Sequence, residues 1–201
     1  MRPALLLALL AASPPIAAQT QPVHNGWHLG GGVDAVRFAH VVVSVAQPGA
    51  AAEVHPSSRA ALHLAVGRDL GHWDVGLEVG LAEGHIEASN DVVAVSDLTA
   101  DVARYRLTIG ICRRIAALGA GELGLELAPT LDLWSVDGSD RTAGGGEGRL
   151  VLRVPLGSWE LEHRLGVGLS ESPIEAADIG DVAEARALRT LTIGLGLRAR
   201  L

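Results

Sequence analysis

The feature that most constrains this chain is a strict period of two. In "WDVGLEVGL", residues Trp73, Val75, Leu77, Val79 and Leu81 fall on one side, and Asp74, Gly76, Glu78 and Gly80 on the other. Successive side chains of a β-strand point to opposite faces, so the stretch predicts a strand with one apolar and one polar face. The same alternation recurs. A first run spans Trp27 to Phe38, where "FAHVVVSV" is apolar on both faces and leaves the register open. Then come Ala60, Leu62, Leu64 and Val66; Ala103, Tyr105, Leu107, Ile109 and Ile111; and Leu123, Leu125, Leu127, Leu131 and Leu133. The series ends with Leu150, Leu152, Val154 and Leu156; Trp159, Leu161, Leu165, Val167 and Leu169; and Leu191, Ile193, Leu195, Leu197, Ala199 and Leu201. With the opening stretch these make eight predicted strands, and no helical repeat of similar strength competes.

The predicted connections alternate in length. Gly71-His72, Ala116 to Gly121 and Gly157-Ser158 are short, whereas His40–Ser58, Gly84–Ala100, Ser135–Gly146 and Ser170–Ala185 are long. Short turns at one end and long loops at the other describe an all-β, eight-stranded antiparallel up-and-down transmembrane barrel. A lipocalin-like barrel would show the same alternation with its apolar face inside, so the choice rests on three further observations.

First, the polar face carries Gly76, Gly80, Gly110, Gly124, Gly166, Gly168, Gly194 and Gly196. Glycine weakens a water-exposed strand but makes room inside a narrow barrel. Second, the dominant charge on that face changes sign from strand to strand. Asp74 and Glu78 are followed by Arg104 and Arg106, then by Glu122, Glu126 and Asp132, then by Arg149 and Arg153. Glu160 and Glu162 with Arg164 come next, and Arg198 and Arg200 close the series. All sixteen basic side chains are arginine, whose planar fork suits buried pairing with carboxylates. These residues are the expected interior network; solvated cross-strand pairs on an outer surface are the alternative. Third, the apolar face is nearly free of charge, with His163 as the exception. Trp27, Trp73 and Trp159 open their strands on that face at the short-turn end, where an aromatic belt meets the membrane interface.

Composition narrows the class. The opening "MRPALLLALLAASPPIAAQT" has a positive Arg2, an apolar Ala4–Ala12 and a small-residue site at Ile16-Ala17-Ala18. It reads as a secretory signal peptide over residues 1–18, leaving 19–201 as a single barrel domain. No stretch offers 18 uninterrupted apolar residues for a helical span. A formal charge of −7 argues against a nucleic-acid partner. Cys112, the one cysteine, cannot form an internal disulfide and is expected on the interior side or near a turn.

In these runs the chain resembles the small eight-stranded outer-membrane barrels of OmpA/OmpX-like architecture. The resemblance implies location in a Gram-negative outer membrane, a monomer, and contact with outer-membrane lipid and lipopolysaccharide. It also implies recognition of the last strand by the barrel-assembly machinery. Gly196, Ala199 and Leu201 take the places of that signal, with leucine where the family usually ends in an aromatic residue.

Catalysis has little to build on. Lipid A deacylases of this size class use a His-x-Ser pair on a late strand, but the spacing here occurs at His55-Pro56-Ser57, in the first long connection. His163 and Ser170 would lie roughly 23 Å apart along one strand. The segment Asp137–Gly148 lacks the spacing of a calcium loop and is expected to be a flexible glycine-rich hairpin loop. Glu171, Glu175, Asp178, Asp181 and Glu184 are expected in a solvated acidic loop. No cofactor, metal or catalytic residue is expected. The expected role is structural, or interaction through the long loops, with a lipid-A-modifying enzyme and a soluble carrier as the alternatives.

Overall fold

The computed structural model describes residues 25–39, 42–44, 53–57, 59–89, 94–136, 138–173, 183–185 and 187–201. The leader, Asp137, Glu175, Asp178 and Asp181 lie outside the described residues, as does the side chain of Glu184. Eleven strands are present among them: β1 (Asn25–Ala39), β2 (Val42–Ser44), β3 (Glu53–Pro56), β4 (Arg59–Leu70), β5 (Trp73–Ser89), β6 (Ala94–Leu118), β7 (Gly121–Val136), β8 (Ser139–Leu156), β9 (Trp159–Ser170), β10 (Ala183–Ala185) and β11 (Leu188–Arg200). Eight of them close a ring, in the order β1-β4-β5-β6-β7-β8-β9-β11, with β11 returning to β1 antiparallel. The short β2, β3 and β10 add to the upper part of β5, where β3 takes over from β4 alongside Ile86–Ser89.

Following paired residues once round the ring gives Arg37, Leu191, Val167, Gly148, Leu127, Ile111, Val75, Arg68 and Trp27. The path returns to β1 ten residues from its start (37 − 27 = 10). That stagger is the shear of the barrel, and it requires the strands to tilt. Ten residues at roughly 3.3 Å each, tilted about 40°, rise about 25 Å, the height of a lipid-facing band.

The outward residues fit such a band. Leu64, Leu77, Ile109, Leu127, Leu165, Ile193 and Leu195 are all largely exposed. At the short-turn end Trp27, Trp73 and Trp159 are 54 %, 46 % and 50 % exposed. Two outward arginines missed in the sequence join them, Arg68 at 5.7 Å from the Trp27 ring and Arg113 at 5.6 Å from the Trp73 ring. A guanidinium over an indole face is stabilised by the ring quadrupole, and at the rim its charge still reaches water. In the first run, the register puts Leu29, Val33 and Arg37 outside and His28, Asp34, Val36 and Phe38 inside.

Two of the expected long loops, Gly84–Ala100 and Ser135–Gly146, are largely strand instead. β5 continues to Ser89 and β6 begins at Ala94; β7 and β8 are separated only by residues 137–138. The glycine-rich Asp137–Gly148 segment, expected as a loop, is strand from Ser139 onward, in register with β7 through Trp134↔Arg141, Leu131↔Gly144 and Leu127↔Gly148. Continuous pairing with β7 satisfies the backbone of this run although its glycines bring no β-forming side chains. The short turn expected over Ala116–Gly121 likewise tightens to two residues between Leu118 and Gly121, led by Gly119 at φ 63°. A bulge at Arg114/Ala116 absorbs the offset. Pro129 lacks an amide hydrogen, and the β6–β7 ladder is interrupted there, between Thr108↔Thr130 and Ile111↔Leu127.

The interior changes character with height. Towards the turn end it is charged. Towards the other end Val36, Phe38, Ala61, Ala82, Val102, Trp134, Ala143 and Leu188 pack into an apolar core inside the ring, with Ile86 and Val136 against it. At that level the outside turns polar, with Glu83, Arg37, Arg189 and Glu171 exposed. Apolar-out gives way to apolar-in where lipid gives way to water.

Placing arginine at Leu195, mid-band, is expected to cost about 2–4 kcal/mol, against about 0–1 for Leu70→Arg at the rim. Urea unfolding of the barrel from phosphatidylcholine vesicles measures both; equal costs would mean that this face does not sit in lipid.

Candidate functional site: the charged interior

The inward face of each strand delivers its charges to one column. At the turn end His28 Nε2 lies 2.9 Å from Asp74 Oδ1, and Arg198 donates to Asp74 Oδ2 and Asp69 Oδ2, each at 2.7 Å. Arg114 donates to the other Asp69 oxygen at 2.6 Å and reaches Glu122 at 3.0 Å. Arg153 joins Asp74 and Glu162, both at 2.8 Å, and Arg200 pairs with Glu160.

A second tier fills the middle. Arg149 holds Glu126 and Glu147 at 3.1 Å and Glu78 at 3.2 Å. Arg164 pairs with Glu78 and lies against His63, whose Nδ1 is 3.2 Å from Asp34 Oδ2. Above them Arg106 grips Asp132 with both arms of its fork, at 2.6 and 2.7 Å, and extends to Glu147 at 3.3 Å. Asp132 has no exposed surface. Arg104 sits at the top, 3.7 Å from Asp132 and between the rings of Phe38 and Trp134 at 5.3 and 5.5 Å. It joins the ion pairs below to the apolar core above.

Glycine makes this density possible. A Cβ on Gly166 would collide with the Glu147 carboxylate, and one on Gly194 with that of Asp34. Among the described residues two small interior cavities remain: one of about 60 Å³ between His28, Asp74, Glu78, Glu126 and Arg153, and another of about 20 Å³ beside Arg104 and Arg106. These have room for a few waters and for one water respectively.

The structure brings all fourteen charged residues singled out in the sequence to the ring's inner side or its rim, and adds His28, Asp34, His63, Asp69, Arg114 and Glu147. Cys112 is buried on the same side. His28, Asp69 and Asp74 present ligand atoms within 4.8 Å of one another. Each aspartate already takes two guanidinium groups, so the positive charge a metal would bring is supplied by arginine. Of the His-x-Ser pair, the His55 ring is engaged by the Pro56 carbonyl, and Ser57 Oγ accepts from the His85 amide. His163 stays outside, opposite Leu195 and Leu152.

This architecture, a closed ring of eight antiparallel strands with lipid-facing walls, is that of the small outer-membrane β-barrels. Among solved structures the chain is similar to Neisserial surface protein A (TM-score 0.58, 11 % identity, covering 88 % of this chain and 97 % of that one). It is equally similar to the outer membrane protein AlkL (0.58, 14 %, 94 % and 96 %). The outer membrane protein OprG of Pseudomonas aeruginosa follows closely (0.56, 11 %, 88 % and 97 %). At these identities the likeness is one of fold. No family model and no curated protein matches the chain.

Breaking one buried pair leaves its partner charged and unmatched, at about 3–5 kcal/mol. Asp132→Asn is therefore expected to lower the unfolding free energy by about that amount. Arg106→Leu together with Asp132→Asn should lose less than the sum of the two single variants, as a double-mutant cycle in urea would show.

Proposed function

We propose that the protein is an exported, monomeric barrel of a Gram-negative outer membrane. Its interior is closed to diffusion by the arginine–carboxylate column, and its role is structural or surface interaction through the extended upper end. The observation that carries this reading is the filling of the lumen: the cavity of about 60 Å³ is bounded by paired charges, and the top is packed with aromatic and aliphatic side chains. A porin-like path for solutes would need a continuous aqueous channel in their place. The non-enzymatic reading is supported by the engagement of the acids and histidines in structural pairs. Outer-membrane lipid covers the band, and β11 with Gly196 and Ala199 seals against β1, where the Leu201 amide donates to the Trp27 carbonyl.

Membrane fractionation followed by gel mobility with and without boiling tests the location. Recovery in the outer membrane with a heat-dependent mobility shift is expected, and recovery in the soluble periplasm would sink it. In planar bilayers the folded barrel is expected to give no steady conductance; a stable open level would refute the closed interior.

A further inference from the structure

Among the described residues, the lipid-facing wall carries a run of three outward glycines on β8. Where other strands carry Leu, Val or Ile outward, β8 presents Gly144, Gly146 and Gly148. Leu127 and Pro129 of β7 stand on one side, and Val167 and Leu169 of β9 on the other. Between them lies an outward-opening groove of about 650 Å³, within the usual range for small-molecule sites. Its floor is open: a Cβ on Gly146 or Gly148 would meet nothing within 4 Å.

The upper end of this groove is cationic. Arg189 lines it, in the row Pro129, Gly146, Leu169, Arg189. Arg37 faces outward on the adjacent strand, opposite Leu191 and so diagonal to Arg189, roughly 7–8 Å away at the level of the backbone. Both are exposed, and neither is paired with a carboxylate among the described residues. Glu171, at the other corner, has its carboxylate turned onto the Gly144 amide at 2.9 Å. Along the membrane normal the order is apolar slot below, two arginines above. A phospholipid has the same order, alkyl chain below and phosphate above. An exposed outward arginine in this position would otherwise face the headgroup layer with no counter-charge from the protein.

We infer that this groove binds one anionic, phosphate-bearing lipid of the outer leaflet, with an acyl chain against Leu127, Val167 and Leu169 and its phosphate between Arg37 and Arg189. The inference rests on the outer-membrane orientation proposed above, with the long strands outermost.

The test is native mass spectrometry of the folded full chain in detergent, with dimyristoyl phosphatidic acid as probe. Dimyristoyl phosphatidylcholine and inorganic phosphate serve as comparators. One phosphatidic acid is expected to be retained in preference to phosphatidylcholine. Removing both cations (Arg37→Gln with Arg189→Gln) is expected to weaken retention about tenfold or more, the value of a charged hydrogen bond or two. Gly146→Leu with Gly148→Leu fills the slot and should abolish retention; the heat-dependent gel shift confirms that each variant folds. Equal retention of the two lipids, or of phosphatidic acid by both variants, overturns the inference. So does competition by inorganic phosphate at matching concentration, or a groove variant that changes only a dimer population. A chain found in the soluble periplasm sinks the membrane reading itself, whereas a membrane-recovered chain without retention sinks this inference alone.

Discussion

A backbone amide in hydrocarbon has no water to bond with, and an open sheet edge there would leave a row of such groups unsatisfied. Pairing β11 with β1 removes both edges at once. The rest follows from that closure. Eight strands closed with a stagger of ten must tilt, and the tilted ring encloses a narrow space. Side chains that alternate outward into lipid necessarily alternate inward into that space. It can hold only what is small or mutually attractive, and the chain meets this with glycine beside matched arginine and carboxylate groups.

The charges therefore do two tasks. They fill volume, and they neutralise one another where burial would make an unpaired ion costly. Arg149 serves three glutamates from three strands, and Asp74 takes partners from three others, so the column links strands distant in sequence. Such pairs contribute less to net stability than their number implies, since each was bought with desolvation. They do penalise any register that leaves one member alone, which favours the observed pairing of strands over its neighbours.

Much of the architecture was legible because a period of two is preserved wherever one face meets lipid. Leu191 to Leu201 reads as a strand on inspection, and all of it but the last residue lies in β11. Legibility ended where the surroundings stopped alternating. Above the band, Val36, Phe38 and Trp134 are apolar and inward, so the pattern inverts and "FAHVVVSV" shows no clear face. The Ser139–Gly148 run read as a loop because glycine carries no propensity of its own; only its pairing with β7 makes it strand, and Glu147 was hidden with it. His28, Asp34 and His63 share the parity of their strands' interior glycines, a signal available in the sequence. Asp69 and Arg114 sit beside turns, where alternation is too short to assign a side. Arg68 and Arg113 break the rule of an uncharged apolar face because they lie against Trp27 and Trp73 at the rim, a depth that the sequence does not encode.

The inversion of polarity near Ala82 and Arg104 divides the molecule by solvent. Below it the chain obeys the rules of a membrane protein; above it, with oily side chains inward and Glu83 and Glu171 outward, it obeys those of an ordinary water-soluble sheet. The outer portion thus carries a hydrophobic nucleus of its own, joined to the charged column beneath through Arg104. Substitutions at Glu83 or Glu171 can retune the polar surface above the band without touching the part that sits in lipid.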